Sequence, residues 1–431
     1  MSFNIEDIVE NKLCVGCGLC TTESKTSKMI WDEEGFLVPL LDHSFNENAI
    51  KLCPFNPSPE DEVKDEDVLA DQILPNAKQI DFKIGRFENT YAGYANQYRE
   101  TSSSGGIATY IFQQLLEKKI VDHLFIVKEI NGTYQYQWFN SLDRIKQISK
   151  TRYIPVTLEK LFKEIDEKDG KVAVSGVACF VKAIRLKQHY TPQYKEKIPF
   201  VVGIICGGLK SRLYTDFLAQ SAGIKYEFNN QQYRIKDAKS TALDYSFGAF
   251  NKENVFKTVK MSPLGDMWGT GIFKSNACDF CDDVATELAD ISLGDAWLDK
   301  YRNDGLGNSI IITRSTLADD LIREGIEKNA LTVENIDKSK VIKSQDASFR
   351  HRQDSIDFRN NLIGKKAYYR KRFKKQNNIY IKLIQLGRRN TRKQSINIWK
   401  QSRDKDIYNN KMYKHLKLLA LFNKINKKMN K

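Results

Sequence analysis

At 431 residues and 41% hydrophobic composition, the chain has the length for two or three domains and the apolar residues to fill their cores, which excludes disordered and fibrous classes. No charged-then-apolar leader opens it and no apolar run of about 18 residues occurs, so neither a signal peptide nor a transmembrane helix is expected, and the cytoplasm is the expected compartment. The formal charge of +14 hides a split: residues 361–431 carry 22 Lys and Arg against Asp404 and Asp406, so the rest is net acidic and the overall basicity does not make the body a nucleic-acid binder.

Eight cysteines in a chain this long do not make a small disulfide scaffold, and their CxxCxxC and CxxC spacing points to metal ligation in a reducing compartment. The first element is CVGCGLCTTES, Cys14 to Ser24. A two-cluster ferredoxin run reads C-x2-C-x2-C-x3-C-P, and its fourth cysteine ligates the other cluster. Here the fourth position is Ser24, but Cys-Pro stands at Cys53-Pro54, and counting back from it puts the other positions of a second run on Ala49, Asn46 and His43. The ligands of one cluster are all replaced; those of the other, Cys14, Cys17, Cys20 and Cys53, are all present. The pattern predicts one 4Fe-4S site, with a structural zinc on the same thiolates as the alternative.

Next, PSPEDEVKDEDVLADQILPNAKQ is acidic and proline-punctuated and reads as a linker with a short helix. The body begins near Tyr91. TSSSGGIATYIFQQLLEKKIVDHLFIV joins a Ser/Gly turn to a helix with apolar Ile107, Ile111, Leu115 and Leu116, then to a strand from Leu124 to Val127. The backbone amides of Ser103, Ser104, Gly105 and Gly106 before a helix N-terminus suit an anion such as a nucleotide phosphate; a plain helix cap is the alternative. Neither G-x-G-x-x-G nor the P-loop pattern is present.

KVAVSGVACFVKAIRL and IPFVVGIICGGLKSRLYTDFL repeat the strand, turn and helix grammar, placing Cys179 and Cys206 just past apolar strands. A more polar, strand-rich stretch runs from Tyr226 to about Met261, before the CDFC hook of Cys278 and Cys281 and the segment ADISLGDAW. One hook plus two strand-end cysteines can supply four thiolates to a second cubane cluster; buried free thiols and a zinc hook remain open as alternatives.

In the tail, Lys411 to Met429 puts Leu418, Ile425, Met429, Phe422, Leu419, Met412 and Leu416 on one helical side, with most lysines opposite and Leu421 out of place. This basic amphipathic helix has three readings: docking on the acidic body, peripheral contact with an anionic membrane, or RNA binding through the interleaved Tyr368, Tyr369, Phe373 and Trp399.

In this order, CVGCGLC, GFLVPLLD, CP, SSSGGIATYI, KVAVSGVACFVKAIRL, GIICGGLKS, CDFC, ADISLGDAW and GNSIIITRS resemble the coenzyme F-420 hydrogenase/dehydrogenase beta-subunit family over about residues 12 to 330. The resemblance implies FAD, a 4Fe-4S cluster on the dispersed cysteines Cys179, Cys206, Cys278 and Cys281, and a ferredoxin-like N-terminal segment. Where the family usually reads Pro-Cys-Gln and Cys-His-Gly, this chain has Ala178-Cys179-Phe180 and Cys206-Gly207-Gly208, so cluster ligation carries over and the substrate contacts do not. In this it is similar to bacterial members found beside envelope-polysaccharide genes.

The expected fold is α+β and multidomain: a ferredoxin-like iron-sulfur segment over 1–60, a linker over 61–90, a mixed α/β flavin-binding body with the second cluster over 91–345, and a basic helical tail over 346–431. The resemblance implies two 4Fe-4S clusters and FAD, with flavin contacts expected at Ser103, Ser104, Gly105, Gly106, Gly294 and Asp295. Asp295 and Lys210 are candidate catalytic proton donors; turn capping for Asp295, and phosphate binding or no ligand for Lys210, are the alternatives. The expected activity is oxidoreduction of a small or lipid-linked substrate, with a ferredoxin or flavodoxin as electron donor. The second expectation is an electron-transfer subunit that delivers electrons to a separate catalytic partner.

Overall fold

The computed structural model describes residues 4–42, 47–130, 132–148, 150–225, 227–362 and 377–429. His43, Asn46, Tyr226, Tyr368, Tyr369 and Phe373 lie outside the described residues. Two small antiparallel hairpins come first in the chain, β1 (Lys28–Trp31) with β2 (Leu37–Leu40) and β3 (Gln79–Asp81) with β4 (Gly85–Phe87). The body is built on a sheet containing β5 (Asn89–Ala95), β6 (His123–Ile130), β7 (Thr133–Phe139), β8 (Val172–Val177) and β9 (Phe200–Ile204). A separate meander of β10 (Phe228–Ile235), β11 (Ser246–Asn251) and β12 (Phe256–Lys260) follows, before β13 (Ile291–Asp295), β14 (Ser309–Thr313) and β15 (Leu331–Asn335) complete the main sheet.

The main sheet has eight strands in the order β15-β5-β14-β13-β9-β8-β6-β7. Its middle, β13, β9, β8 and β6, is parallel, and antiparallel strands flank it on both sides. The parallel strands are apolar on both faces because helices cover both. Alternate residues divide between two cores: Ala173, Phe200 and Val202 meet the helices Ile107–Glu117 and Thr316–Glu327, whereas Val174 and Val201 meet the helix Ala178–Tyr190.

The second of those cores is shared with the cysteine-bearing N-terminal segment. Leu13, Val15, Leu19, Leu52 and Phe55 pack in one cluster with Phe180, Val181 and Ile184 of the body. Segment 61–90 carries the expected short helix, Glu66–Ile73, and also buries Val63, Leu69, Leu74, Ile84 and Phe87. Glu66 is ion-paired to Lys182 at 3.0 Å, and Arg314 donates to the carbonyl of Ile84 at 2.7 Å, so the segment is fastened to the body by buried charge as well as by apolar contact.

The C-terminal residues form a helical hairpin, Ile379–Ser402 and Lys405–Met429, docked on the body. Trp399 is fully buried, its ring 5.6 Å from Phe217 and 5.6 Å from Tyr408. A ring sealed in the core is not free to stack on a base, which removes Trp399 from the RNA reading. The last helix also departs from the single apolar side expected of it. Tyr408, Met412 and Leu419 face inward and are buried, while Leu418, Leu421 and Met429 are exposed with the lysines. The partner helix takes one apolar line and leaves the second, to which Leu421 belongs, uncovered. No described helix is long and apolar enough to cross a membrane.

Replacing Trp399 by Ala empties a closed aromatic core and is expected to cost about 3–5 kcal/mol, read as a fall in the urea midpoint. An unchanged midpoint would show that the hairpin is not part of the cooperative unit.

Candidate functional site

The N-terminal cysteines sit in a loop shaped by left-handed glycines. Gly16 and Gly18 have φ of 74° and 83°, and a Cβ on Gly18 would stand 2.1 Å from the hydroxyl of Thr157. The Gly16 amide points at the Cys14 sulfur at 3.4 Å, and the Cys17 carbonyl accepts from the Leu158 amide at 2.9 Å, anchoring the loop to the body. Cys20 feels the charges of Cys17, Cys14 and Cys53, so the structure brings the four together. Burial pushes the Cys14 and Cys17 thiols up to about 12 and about 11, a penalty that iron would remove by taking them as thiolates. Ser24 donates instead to Asp42 at 2.8 Å, and Ala49 is buried.

The second set converges at one edge of the sheet. Cys179 lies in the first turn of the helix after β8, Cys206 follows β9 by two residues, and the hook of Cys278 and Cys281 lies against them. Cys179 is raised well above the ordinary thiol range by burial first, and then by Cys281, Cys206, Cys278 and Cys17. The last of these belongs to the N-terminal set, so the two sets are neighbours. The Leu209 amide donates to the Cys278 sulfur at 3.1 Å and the Gly208 amide to the Cys206 sulfur at 3.3 Å. Among the described residues no group of three or more His, Cys, Asp and Glu is set to hold a single metal ion. Two sets of four soft thiols, each with amides aimed at sulfur, fit the ligand chemistry of a cubane cluster.

Between the second set and the helix Ile107–Glu117 lies a cavity of about 1230 Å³. This exceeds the span of about 300–1,000 Å³ usual for small-ligand pockets and suits an extended molecule. Gly106, with φ 83°, caps that helix without a side-chain bond, so its N-terminus is presented to the cavity. Three buried polar atoms on cavity-lining residues have no hydrogen-bond partner among the described residues: Ser102 Oγ, Arg152 Nε and Arg234 Nε. Lys150 and Arg152 are both lowered by burial, as cations held without a full complement of anions. Tyr153, Tyr245, Trp268 and Trp297 supply flat apolar wall. Cationic donors, a helix N-terminus and aromatic faces together suit a ligand that is anionic at one part and flat at another.

Of the turn residues predicted to cradle phosphate, Ser103, Ser104 and Gly106 line this cavity and Gly105 does not, and the groups of the turn are partly engaged. Ser103 Oγ accepts from the Thr151 amide at 2.9 Å and Ser104 Oγ donates to the Asn308 carbonyl at 3.2 Å. Lys236 donates to the carbonyls of Arg99, Ser104 and Leu306 and pins the turn from behind. Gly105 is required by the protein itself, since a Cβ there would meet the Gly93 carbonyl oxygen at 2.6 Å and the Ser309 amide nitrogen at 2.9 Å. Gly294 and Asp295 end β13 beside the cavity, with the Asp295 carboxylate paired to Arg234. Lys210 is buried, and its ammonium donates at 2.6 Å to the carbonyls of both Met267 and Ile272, which gives it the work of holding that loop.

Several residues escaped sequence reasoning. Lys150 and Arg152 stand in SKTRYIP with no motif around them, and Arg352 lies in RHRQDS, which reads as ordinary tail charge. Arg352 Nη2 is 2.6 Å from the Cys281 sulfur. Asp279, inside the CDFC hook, meets Lys274 at 2.6 Å and Arg392 at 3.1 Å, with His351 at 3.4 Å. Only the proximity of three remote segments reveals this group.

The chain matches the family described as "Coenzyme F420 hydrogenase/dehydrogenase, beta subunit" in both of its parts, the N-terminal part over residues 90–163 and the C-terminal part over residues 169–339. Among curated proteins, the coenzyme F420-dependent sulfite reductase of Methanocaldococcus jannaschii is 22% identical over 361 residues, covering 79% of this chain and 50% of that protein. A subunit of the F(420)H(2) dehydrogenase of Methanosarcina mazei is 22% identical over 233 residues, 52% of this chain and 60% of that one. The beta subunit of the coenzyme F420 hydrogenase of Methanothermobacter thermautotrophicus is 22% identical over 57% of this chain and 82% of its own. The chain thus spans about half the length of the sulfite reductase. In the solved F420-reducing [NiFe] hydrogenase complex from Methanosarcina barkeri, one chain superposes with a TM-score of 0.50 at 18% identity, covering 66% of this chain and 96% of that one. The likeness extends to the fold.

Because Gly105 is closed in by backbone, Gly105→Ala is expected to lower stability by about 1–3 kcal/mol in a urea titration. A midpoint equal to that of the unaltered chain would mean the glycine is free to serve only a ligand.

Proposed function

The chain belongs to the coenzyme F420 hydrogenase/dehydrogenase beta-subunit family, and from that premise we propose that it is an iron-sulfur flavoprotein oxidoreductase carrying two 4Fe-4S clusters and FAD. One observation carries the reading: two adjacent groups of four cysteines, the second of which lines a large cavity with orphaned cationic donors. When bound, the clusters supply single-electron transfer and the flavin exchanges single electrons for a two-electron hydride.

In this reading, Cys14, Cys17, Cys20 and Cys53 would hold one cluster, and a ferredoxin or flavodoxin would be the electron donor to the chain. Cys179, Cys206, Cys278 and Cys281 hold the cluster beside the cavity. The amides at Gly106 and in the first turn of the following helix, with Lys150 and Arg152, orient the FAD phosphates. Asp295, paired to Arg234 at the cavity wall, is the candidate catalytic residue in preference to Lys210, whose ammonium is occupied by the carbonyls of Met267 and Ile272. The substrate is a small or lipid-linked molecule, with envelope-polysaccharide synthesis as the setting. Its recognition differs from that in F420-dependent relatives, because Phe180 and Gly207 stand where the family's usual Gln and His would make contact.

A second reading, an electron-transfer subunit that delivers electrons to a catalytic partner, is supported by relatives named as subunits and by the hydrogenase complex. A stable partner on copurification would favour it.

Anaerobic purification is expected to yield about eight irons per chain and stoichiometric FAD, with Cys20→Ser and Cys281→Ser each removing about four irons. A chain without flavin, or with iron unchanged in both variants, would sink the assignment. Paired charge reversal at Lys150 and Arg152 should cut FAD occupancy and leave the iron count intact.

The uncovered apolar line of the last helix supports peripheral contact with an anionic membrane. Ile407, Leu418, Leu421 and Met429 are exposed and share a face at about 100° per residue, and Lys411, Lys414, Lys417, Lys424 and Lys428 are exposed around them. Flotation should show salt-sensitive binding to anionic liposomes alone, weakened by paired Leu418→Ser and Leu421→Ser substitutions. Equal recovery with neutral vesicles removes the membrane reading.

A further inference from the structure

We propose that Arg352 is a positioning residue for the cluster at Cys179, Cys206, Cys278 and Cys281, fixing Cys281 and raising the cluster's reduction potential. The inference rests on the proposed assignment of that ligand set. It concerns a residue on the helix Asp346–Arg352, beyond residue 339 where the family match ends.

Arg352 is only 5% exposed, and every hydrogen bond of its guanidinium falls on the two ligand loops or the turn beside them. Nε donates to the Cys281 carbonyl at 2.9 Å, Nη1 to the Cys206 carbonyl at 2.7 Å, and Nη2 to the Asp283 carbonyl and the Cys281 sulfur, each at 2.6 Å. One rigid fork therefore ties the loop after β9 to the CDFC hook, which are distant in sequence. The carbonyl bonds alone would make it a clamp. The bond to sulfur adds a fixed positive charge at a ligand, and that has a redox consequence. Reduction of the cluster adds one electron and no proton, so a cation beside a thiolate favours the reduced form, and a hydrogen bond to that sulfur acts in the same direction. Those four acceptors are three carbonyls and a sulfur, and the groups that act most strongly on the Arg352 charge are Cys281, Cys206 and Cys278, ahead of the Asp283 carboxylate.

The test is an EPR-monitored redox titration of the full-length holoprotein in three forms, unaltered, Arg352→Gln and Arg352→Lys, with iron counted in each. The unaltered protein should hold about eight irons and show two midpoint potentials. In Arg352→Gln one potential should fall, shifting the oxidised-to-reduced ratio of that cluster about tenfold at the original midpoint, or ~59 mV for one electron. Arg352→Lys, which keeps the charge and loses the fork, should fall less, and the other potential should stay in place in both. The affected signal should be the one that Cys281→Ser removes.

Two unchanged potentials in a fully loaded Arg352→Gln would overturn the role of Arg352 while leaving the cluster assignment intact. An unaltered protein with only about four irons would overturn the ligand set itself, and this inference with it. Should Arg352→Gln shed the cluster, Arg352→Lys decides: a loaded cluster at lowered potential supports the proposal, and a cluster lost or unmoved in potential overturns it.

Discussion

The buried carboxylate of Asp279 is the constraint on which the candidate site rests. Burial works to raise its pKa, but Lys274 and Arg392 outweigh that and hold it well below the usual carboxylate range. His351, lowered by burial, is neutral; Lys274 stands 3.0 Å from its Nε2, and its Nδ1 meets the Gln385 side-chain oxygen at 3.0 Å. Arg359 closes the ring, donating to the Asp279 and His351 carbonyls and to Gln385. A buried charge persists only when its partners are all in place. Here the partners come from the segment before the hook, the helices after residue 338 and the C-terminal hairpin. The position of the hook is thereby coupled to that of the C-terminal helices.

That dependence explains why a basic tail became part of the core. Its helices carry Ser395, which accepts from the Phe273 amide at 2.8 Å, and Thr391, which donates to the Thr270 carbonyl. These bonds fix the loop that leads into Cys278, and Trp399 seals the apolar side of the same contact. Charge attraction between a basic tail and an acidic body would act at longer range, but the specific contacts are buried hydrogen bonds and aromatic packing. Surface pairs such as Lys400 with Glu33 add little beside them.

The sheet supplies the second organising rule. Parallel strands deliver their carboxyl ends to one edge, so Cys179, Cys206 and Asp295 arrive together although they are widely separated in sequence. Antiparallel β14 begins where β13 ends, with Asp295 opposite Ser309, and the Ser309 position lies opposite Gly93 of β5. The Ser/Gly turn after β5 is thereby brought to the same edge. A cavity between cysteines and helix N-terminus follows from topology before any ligand is considered.

Much of this was legible in the residues. The loss of cysteine at Ser24, His43, Asn46 and Ala49, set against the presence of Cys14, Cys17, Cys20 and Cys53, depends on local spacing, and local spacing is what a sequence displays. The strand, turn and helix repeats announced the α/β body for the same reason, because apolar periodicity is short-ranged. A helical wheel gives the amphipathic tail one stripe, since it has no knowledge of a partner helix; the hairpin divides its apolar residues into the buried line of Met412 and Leu419 and an exposed line of Leu418 with Leu421, which lies off that stripe. Gly105 carried no label saying whether a ligand or the strand backbone closes upon it. By itself, the sequence determined the mixed α/β character of the body and the family, and it offered the two cysteine groups as candidates. Tertiary structure alone decided that Arg352 reaches Cys281, that Lys210 donates to carbonyls, and that Asp279 pairs with Arg392 as well as with Lys274, because most of these contacts join residues tens to more than a hundred positions apart, set by packing rather than by neighbours in the chain.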